Sequence, residues 1–221
     1  SMPPNEEIQK ATVEALHGMV KDLFKYKHTI AYIGTLPIEQ VVNALEKHHP
    51  ITGALQDPPP YPFLKARKPA ETEILFFHKE MAQAQVRIEF GGEDYSEARR
   101  PAVQLYNNYF GGDMSSIVVQ ELREARALAY SANAQYVNGG RKGDQDLMIG
   151  VIGTQADKSP EAVGVFLELI ENLPQSPERF TAAQNAILNR YRTSKLGFRS
   201  VLGAVRAWER LGLPVDPRKE R

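Results

Sequence analysis

Residues 110–116 read Phe-Gly-Gly-Asp-Met-Ser-Ser, and residues 120–130 continue as Gln-Glu-Leu-Arg-Glu-Ala-Arg-Ala-Leu-Ala-Tyr. Two glycines ahead of an aspartate and two serines are typical of a tight turn that opens a helix, with Asp113 or Ser115 as its N-cap. The free amide groups at such a helix N-terminus can also hold an anion. The sequence therefore predicts a glycine turn followed by a helix, with an anion site as the functional alternative.

Hydrophobic alternation predicts strands on both sides of this motif. Residues 85–90 (Gln-Val-Arg-Ile-Glu-Phe) alternate strictly, residues 130–137 alternate again, and residues 147–152 form an apolar run suited to a central strand. Residues 29–33 (Thr-Ile-Ala-Tyr-Ile) and 73–77 (Glu-Ile-Leu-Phe-Phe) predict two further strands.

Helical spacing of apolar residues fills most of the remaining chain. It predicts helices over residues 6–25, 38–45, 98–109 and 114–126, and two closing helices around residues 165–170 and 180–191. Because strands and helices both come in pairs, we expect an α+β fold with a mostly antiparallel sheet and helices packed on one face.

The prolines divide the chain into segments. Six of them fall between residues 48 and 69, where a residue without an amide donor favours an extended linker. We expect residues 1–49 to be a leading helix, strand and helix, and residues 50–70 to be a linker within the same domain. Residues 71–213 would then form the main body, and residues 214–221 a truncated linker, since the chain is expected to be a piece of a longer protein.

Composition excludes several classes of function. The 221 residues carry 27 basic and 27 acidic side chains, so there is no basic excess of the kind that nucleic-acid binders usually show. Cysteine is absent, which excludes disulfides, thiolate metal sites and a cysteine nucleophile. No apolar run approaches the roughly 20 residues of a membrane span.

Catalytic motifs are not evident in the sequence. The five histidines (His17, His28, His48, His49 and His78) include no His-x-x-Glu-His or His-Glu-x-x-His arrangement. His78-Lys79-Glu80 matches half of a zinc deaminase signature whose cysteines are missing, and His48-His49 fits a helix C-terminus. A Gly-x-Ser-x-Gly elbow is also absent. We therefore predict no metal site and no catalytic residue on this chain alone.

The glycine turn and its helix resemble a known family. Gly-Gly-x-Met-Ser-Ser, then Gln-Glu-Leu-Arg-Glu, then Leu-Ala-Tyr-Ser resembles the second, non-catalytic type of domain of the pitrilysin/insulinase zinc metallopeptidases. That family also contains mitochondrial processing peptidases and the core proteins of the respiratory bc1 complex. The similarity in layout extends over nearly the whole chain.

The resemblance implies that the catalytic members of the family consist of two halves with different roles. In catalytic members one half carries His-x-x-Glu-His and binds zinc, while the other closes over it and supplies an Arg and a Tyr seven positions apart. Arg123 and Tyr130 have that spacing, and a guanidinium and a phenol suit the stabilisation of an oxyanion. Weaker candidates for substrate contact are Gly111, Gly112, Ser115 and Ser116. A solvated helix face around Arg123 and simple packing of Tyr130 are the structural alternatives.

Three functions follow from these observations. The first is a substrate-binding, non-catalytic domain of a zinc metalloendopeptidase that cleaves peptides or unfolded segments, with zinc in another half of the parent chain or in a partner subunit. The second is a structural or assembly subunit with the same fold and no proteolytic role. The third is an anion-binding module that uses Gly111 and Gly112. The resemblance leaves bacterial periplasm, cytoplasm and mitochondrion all open as compartments.

Two positions depart from the family pattern. Asp113 stands where the family usually has a third glycine, and Ala127 stands where it has a glycine before Leu-Ala-Tyr. If that position requires a positive φ, Ala127 is strained, because its Cβ is disfavoured there. The placement of Tyr130 depends on how this turn is built.

Overall fold

The computed structural model describes residues 4–51, 53–63, 65–67, 69–213 and 216–217. The chain divides into two compact units, one formed by Ser1–Pro62 with Phe198–Leu202 and the other by Phe63–Gly197 with Gly203–Arg221. The segment bounds expected from the sequence stay a prediction, and the expected linker 214–221 lies outside the described residues except at positions 216 and 217.

Within residues 4–51 the first unit contains three helices: α1 (Asn5–Lys10), α2 (Val13–Leu23) and α3 (Ile38–His48). The single helix expected over residues 6–25 is therefore two helices. Thr12 is extended, with φ −111° and ψ 160°, and its hydroxyl accepts a hydrogen bond from the Ala15 amide at 3.1 Å. This side chain caps a new helix, which is why the helical pattern is interrupted there.

Two expected strands do not form. Residues 29–33 carry no strand, and Ile30 is half exposed. Residues 73–77 also lack a strand partner, and the four large side chains from Ile74 to Phe77 are 85–88% exposed. The prediction of strands at these two places is wrong for this structure. An apolar pattern specifies which side chains favour burial, but a strand also needs a neighbouring backbone to pair with.

The second unit contains a three-stranded antiparallel sheet. Its strands are β1 (Ala84–Asp94), β2 (Ser131–Val137) and β3 (Gln145–Thr154), in the order β1-β3-β2. The register places Ile152 of β3 between Val86 of β1 and Ala132 of β2. The continuous apolar run predicted as a central strand is therefore confirmed as the middle of the sheet.

Helices follow each part of the sheet along the chain. They are α4 (Arg100–Tyr106), a π-helical turn (Asn107–Gly111), α5 (Ile117–Val119) with a second π-helical turn (Gln120–Ala125), α6 (Ser159–Glu171), α7 (Pro177–Thr193) and α8 (Val201–Leu211). The predicted α+β class is confirmed. Among the described residues, no helix combines the length and the apolar character that crossing a bilayer requires.

One face of the sheet is buried against these helices. Ala134 and Ile152 are fully buried from the sheet side, and Phe110, Leu122 and Phe166 are fully buried from the helical side. The opposite face carries charged and polar side chains from the outer strands, such as Arg87, Glu89 and Asn133. This distribution is the one expected of an antiparallel sheet with a single covered face.

Gly150, in the middle of β3, tests this packing. A Cβ built on Gly150 would lie 2.3 Å from Cζ of Phe166, whose buried ring has no free space to move into. We expect Gly150→Ala to destabilise the fold by about 1–3 kcal/mol, as overpacking of a core does. Gly164→Ala on α6 is the matched control, since nothing lies within 4 Å of its added Cβ. It should raise stability by about 0.5–1 kcal/mol through helix propensity. Urea unfolding of both variants measures the difference, and equal stabilities would contradict the described packing.

Candidate functional site

Arg123 lies on the π-helical turn that continues α5. The turn is fixed by Leu122, whose side chain is fully buried in the core. Arg123 is exposed beside it. Its Nη1 lies 3.6 Å from the sulfur of Met114, and its Nε lies 3.5 Å from Oε1 of Glu124. Because both side chains of that ion pair are nearly half exposed, solvent weakens it and leaves the guanidinium available to a ligand.

The segment after Arg123 folds back onto the helix. The carbonyl oxygen of Leu122 accepts hydrogen bonds from the amides of Leu128 at 2.8 Å and Ala129 at 3.2 Å. On the sheet side, the hydroxyl of Thr154 donates to the carbonyl of Leu128 at 2.5 Å. These bonds fix the chain immediately before Tyr130.

Tyr130 stands at the entrance to β2. Its amide donates to the carbonyl of Gly153 at 2.8 Å, so its backbone is already paired with the end of β3. Its side chain is 53% exposed and its Oη accepts a hydrogen bond from Nε2 of Gln155 at 3.0 Å. The phenol is therefore oriented by a neighbouring amide group and does not pack in the core, contrary to the packing alternative.

Ala127 makes the turn between the two candidate residues. Its φ is 47°, and it is the only non-glycine with a positive φ in the described part of the chain. The condition stated from the sequence, a positive φ at this position, is therefore met. Its carbonyl oxygen lies 3.4 Å from Nζ of Lys158, the residue that directly precedes α6. A left-handed conformation with a Cβ costs roughly 1–2 kcal/mol, which the surrounding hydrogen bonds offset.

Arg123 and Tyr130 line the same open cavity. Its volume is about 190 Å³, and its lining comprises Arg123, Ala127, Leu128, Ala129, Tyr130, Gln155 and Lys158. Two cationic side chains, one phenol and one amide therefore face a shared space, and none of these lining residues is acidic. Such a set of donors suits a carbonyl oxygen, an oxyanion or a carboxylate.

Sequence reasoning missed Gln155 and Lys158. Both follow the end of β3, in a stretch that the sequence presents only as a connection to the next helix. The strand pattern contained a usable signal: antiparallel pairing of β2 with β3 brings the residues after Thr154 beside those before Ser131. The residue directly after Thr154, Gln155, was therefore a candidate neighbour of Tyr130.

The weaker candidates lie in the glycine turn. Gly111 is buried with its backbone against Ala134, where a Cβ would come within 2.2 Å of the Ala134 carbonyl oxygen. The amide and hydroxyl of Ser115 both donate to Oδ1 of Asp113, and the hydroxyl of Ser116 donates to the Asp113 carbonyl. Ser116, not Asp113 or Ser115, precedes the first helical residue. Contact of substrate with this turn stays a prediction, as does contact with Gly112.

The histidines do not form a recognisable metal centre. In the residues that the structure describes, no three His, Cys, Asp or Glu side chains are placed to share an ion. His48 ends α3 and His49 follows it, as expected. Nε2 of His49 lies 2.7 Å from Nε2 of His28, so these two rings hydrogen-bond to each other.

Comparisons with known proteins place the chain in a family. The family model described as peptidase M16 inactive domain matches residues 10–187. The chain is 29% identical over 133 residues to an uncharacterized zinc protease of Streptomyces coelicolor, and this match covers 54% of the chain and 29% of that protein. The resemblance predicted from the glycine turn and its helix is confirmed.

Two crystal structures share the fold. A conserved protein from Enterococcus faecalis has a TM-score of 0.73 at 16% identity, covering 96% of this chain and 49% of that one. A protease from Helicobacter pylori has a TM-score of 0.66 at 14% identity, covering 92% of this chain and 50% of that one. The chain thus spans half or less of the length of these relatives.

The backbone of Ala127 generates a testable expectation. Ala127→Gly relieves the left-handed strain of roughly 1–2 kcal/mol but adds about 0.4–1 kcal/mol of unfolded-state entropy, so stability should rise by about 0.5–1 kcal/mol. Ala125→Gly, two residues earlier and without a positive φ, should lower it by about 0.5–1 kcal/mol. Denaturant unfolding compares the two variants. A loss of stability in both would show that Ala127 is not strained.

Proposed function

Because the chain belongs to the family of peptidase M16 inactive domains, we propose that it is the substrate-binding, non-catalytic domain of a zinc-dependent metalloendopeptidase. The substrates would be peptides or unfolded protein segments, and the zinc would be held by another half of the parent chain or by a partner subunit. The observation that carries this proposal is the cavity that Arg123 and Tyr130 line together, with Gln155 hydrogen-bonded to the phenol.

The donors of the cavity suit a peptide bond under attack. When zinc-activated water adds to a peptide carbonyl, negative charge develops on its oxygen, and hydrogen-bond donors that are already oriented stabilise that charge. Gln155 donates into Oη of Tyr130, which leaves the phenol's own hydrogen free to point at a substrate oxygen. Arg123, which lines the same cavity, adds a planar fork of donors.

The sheet offers one edge for an extended peptide. The outer edge of β2 is occupied near Tyr136, whose amide and carbonyl are both hydrogen-bonded to the side chain of Asn107, at 2.7 and 2.9 Å. Among the described residues, no strand pairs with the outer edge of β1. Strand addition at β1 would satisfy the backbone of a substrate without reading its sequence, which suits the capture of unstructured chains.

An exposed apolar segment supports association with a second half. The side chains from Ile74 to Phe77 are almost fully exposed, although four consecutive large apolar residues are costly to leave in water. The relatives described above are about twice as long as this chain or longer. We therefore assign this segment to contact with the zinc-bearing half.

The role of the two lining residues is tested in the full-length protease. Tyr130→Phe keeps the ring and removes the donor, so kcat/KM should fall by roughly 10²–10³-fold, as for the loss of one oxyanion donor. Arg123→Lys keeps the charge and loses the fork, so it should also lower kcat/KM. Tyr95→Phe is the control, since the hydroxyl of Tyr95 donates to Glu97 and lies outside the cavity lining. Peptide cleavage and thermal unfolding are measured for all three.

Two results would contradict the proposed function. Normal kinetics of Tyr130→Phe would contradict the proposed role of its hydroxyl. A structural subunit with no proteolytic role predicts that the full-length protein cleaves no peptide at all.

Gln155 acts as a positioning residue in this scheme. Gln155→Leu removes the hydrogen bond to Tyr130, so kcat should fall by about 3–10-fold, corresponding to one neutral hydrogen bond. If Gln155 works only through Tyr130, the double variant with Tyr130→Phe should be no slower than Tyr130→Phe alone. Additive losses in this double-mutant cycle would show that Gln155 contacts the substrate by another route.

A further inference from the structure

We propose that Lys158 is a specificity-determining residue that binds a carboxylate of the substrate, so that the cavity selects peptides that present a carboxylate to it. This inference rests on the proposed function, because it assigns a substrate class to the same cavity. Arg123 and Tyr130 would bind the backbone carbonyl group that every peptide has, whereas Lys158 would bind a carboxylate that is not present at this position in every peptide.

The charge of the cavity is the first observation. Its lining contains Arg123 and Lys158 but no Asp or Glu, which leaves two positive charges without a compensating acid inside it. The acidic neighbours along the chain are engaged elsewhere or outside the lining. Glu121 pairs with Arg126 at 3.8 Å, and Glu124, which is not part of the lining, lies 3.5 Å from Arg123 in a pair that is nearly half exposed. A site with this balance favours an anionic group.

The placement of Lys158 is the second observation. Lys158 is half-buried between the end of β3 and the start of α6, unlike the exposed Arg123. Within the described residues it forms no ion pair, and its ammonium donates to the carbonyl of Ala127 at 3.4 Å, the long end of the hydrogen-bond range. An ammonium has three donors, so two remain for a ligand.

The backbone at Ala127 links Lys158 to Tyr130, the residue proposed to contact the substrate carbonyl group. Ala127, whose φ is positive, offers its carbonyl oxygen to Nζ of Lys158, and the chain then continues through Leu128 and Ala129 to Tyr130. Lys158 thus contacts a backbone segment that leads into Tyr130 and is itself hydrogen-bonded at Leu122 and Thr154. A single bound peptide would then place its carboxylate at Lys158 and a backbone carbonyl group at Tyr130.

The carboxylate has two possible sources, an acidic side chain or the C-terminus of a peptide. Three peptides of equal length separate them: one with a central Glu and an amidated C-terminus, one neutral with a free C-terminal carboxylate, and one neutral and amidated. Each is titrated into the 221-residue chain, and binding is followed by the amide NMR signals of residues 127–130, which also detects millimolar affinities.

We expect one of the two carboxylate peptides to bind about 3–10-fold more tightly than the neutral amidated peptide, since the ion pair is only partly shielded from water. Lys158→Met should abolish this preference, Lys158→Arg should retain it, and raising the salt concentration should reduce it. Lys195→Met is the control, because Lys195 is exposed and outside the cavity lining. The peptide that shows the preference identifies the source of the carboxylate.

The remaining outcomes separate this inference from the proposed function. If all three peptides bind equally and Arg123→Lys weakens each of them, the domain binds peptides but Lys158 does not select those with a carboxylate. If the preference survives Lys158→Met, another residue is responsible and the inference is wrong. If no peptide shifts the signals of residues 127–130, both the inference and the proposed function are overturned.

Discussion

The carbonyl group of Leu122 is the point on which the candidate site depends. Its oxygen accepts two amide hydrogen bonds, from Leu128 and Ala129, and so folds the chain back at the end of the helical turn. The Leu122 side chain is fully buried, so this acceptor cannot move without disturbing the core. The helix that carries Arg123 and the strand that follows Tyr130 are thereby held at a fixed separation.

This turn carries backbone strain next to the candidate cavity. Ala127 adopts a positive φ at the position where the chain reverses, and strain of this kind persists only where surrounding contacts fix the backbone. Here those contacts are hydrogen bonds to Leu122, Thr154 and Lys158. The same bonds that hold the strained residue also position the donors of the cavity, so stability and site geometry are linked.

Apolar periodicity predicted the central strand of the sheet correctly but also predicted two strands that do not form. Residues 147–152 were recognised as a central strand because a strand buried between two neighbours needs apolar residues throughout. Residues 29–33 and 73–77 have similar composition and form no strand among the described residues. Hydrophobic pattern reports a preference for burial, whereas pairing depends on a partner backbone that local sequence does not specify.

The sequence by itself determined the family, the α+β class and the spacing of Arg123 and Tyr130, because these depend on local motifs and on periodicity along one stretch of chain. It also indicated strain at Ala127, since a missing glycine is visible without coordinates. Only the tertiary structure decided that both residues line one cavity, and that Gln155 and Lys158 join them. Both follow the end of β3: antiparallel pairing brings Gln155 beside Tyr130, and the 3-10 turn after it brings Lys158 to the same cavity.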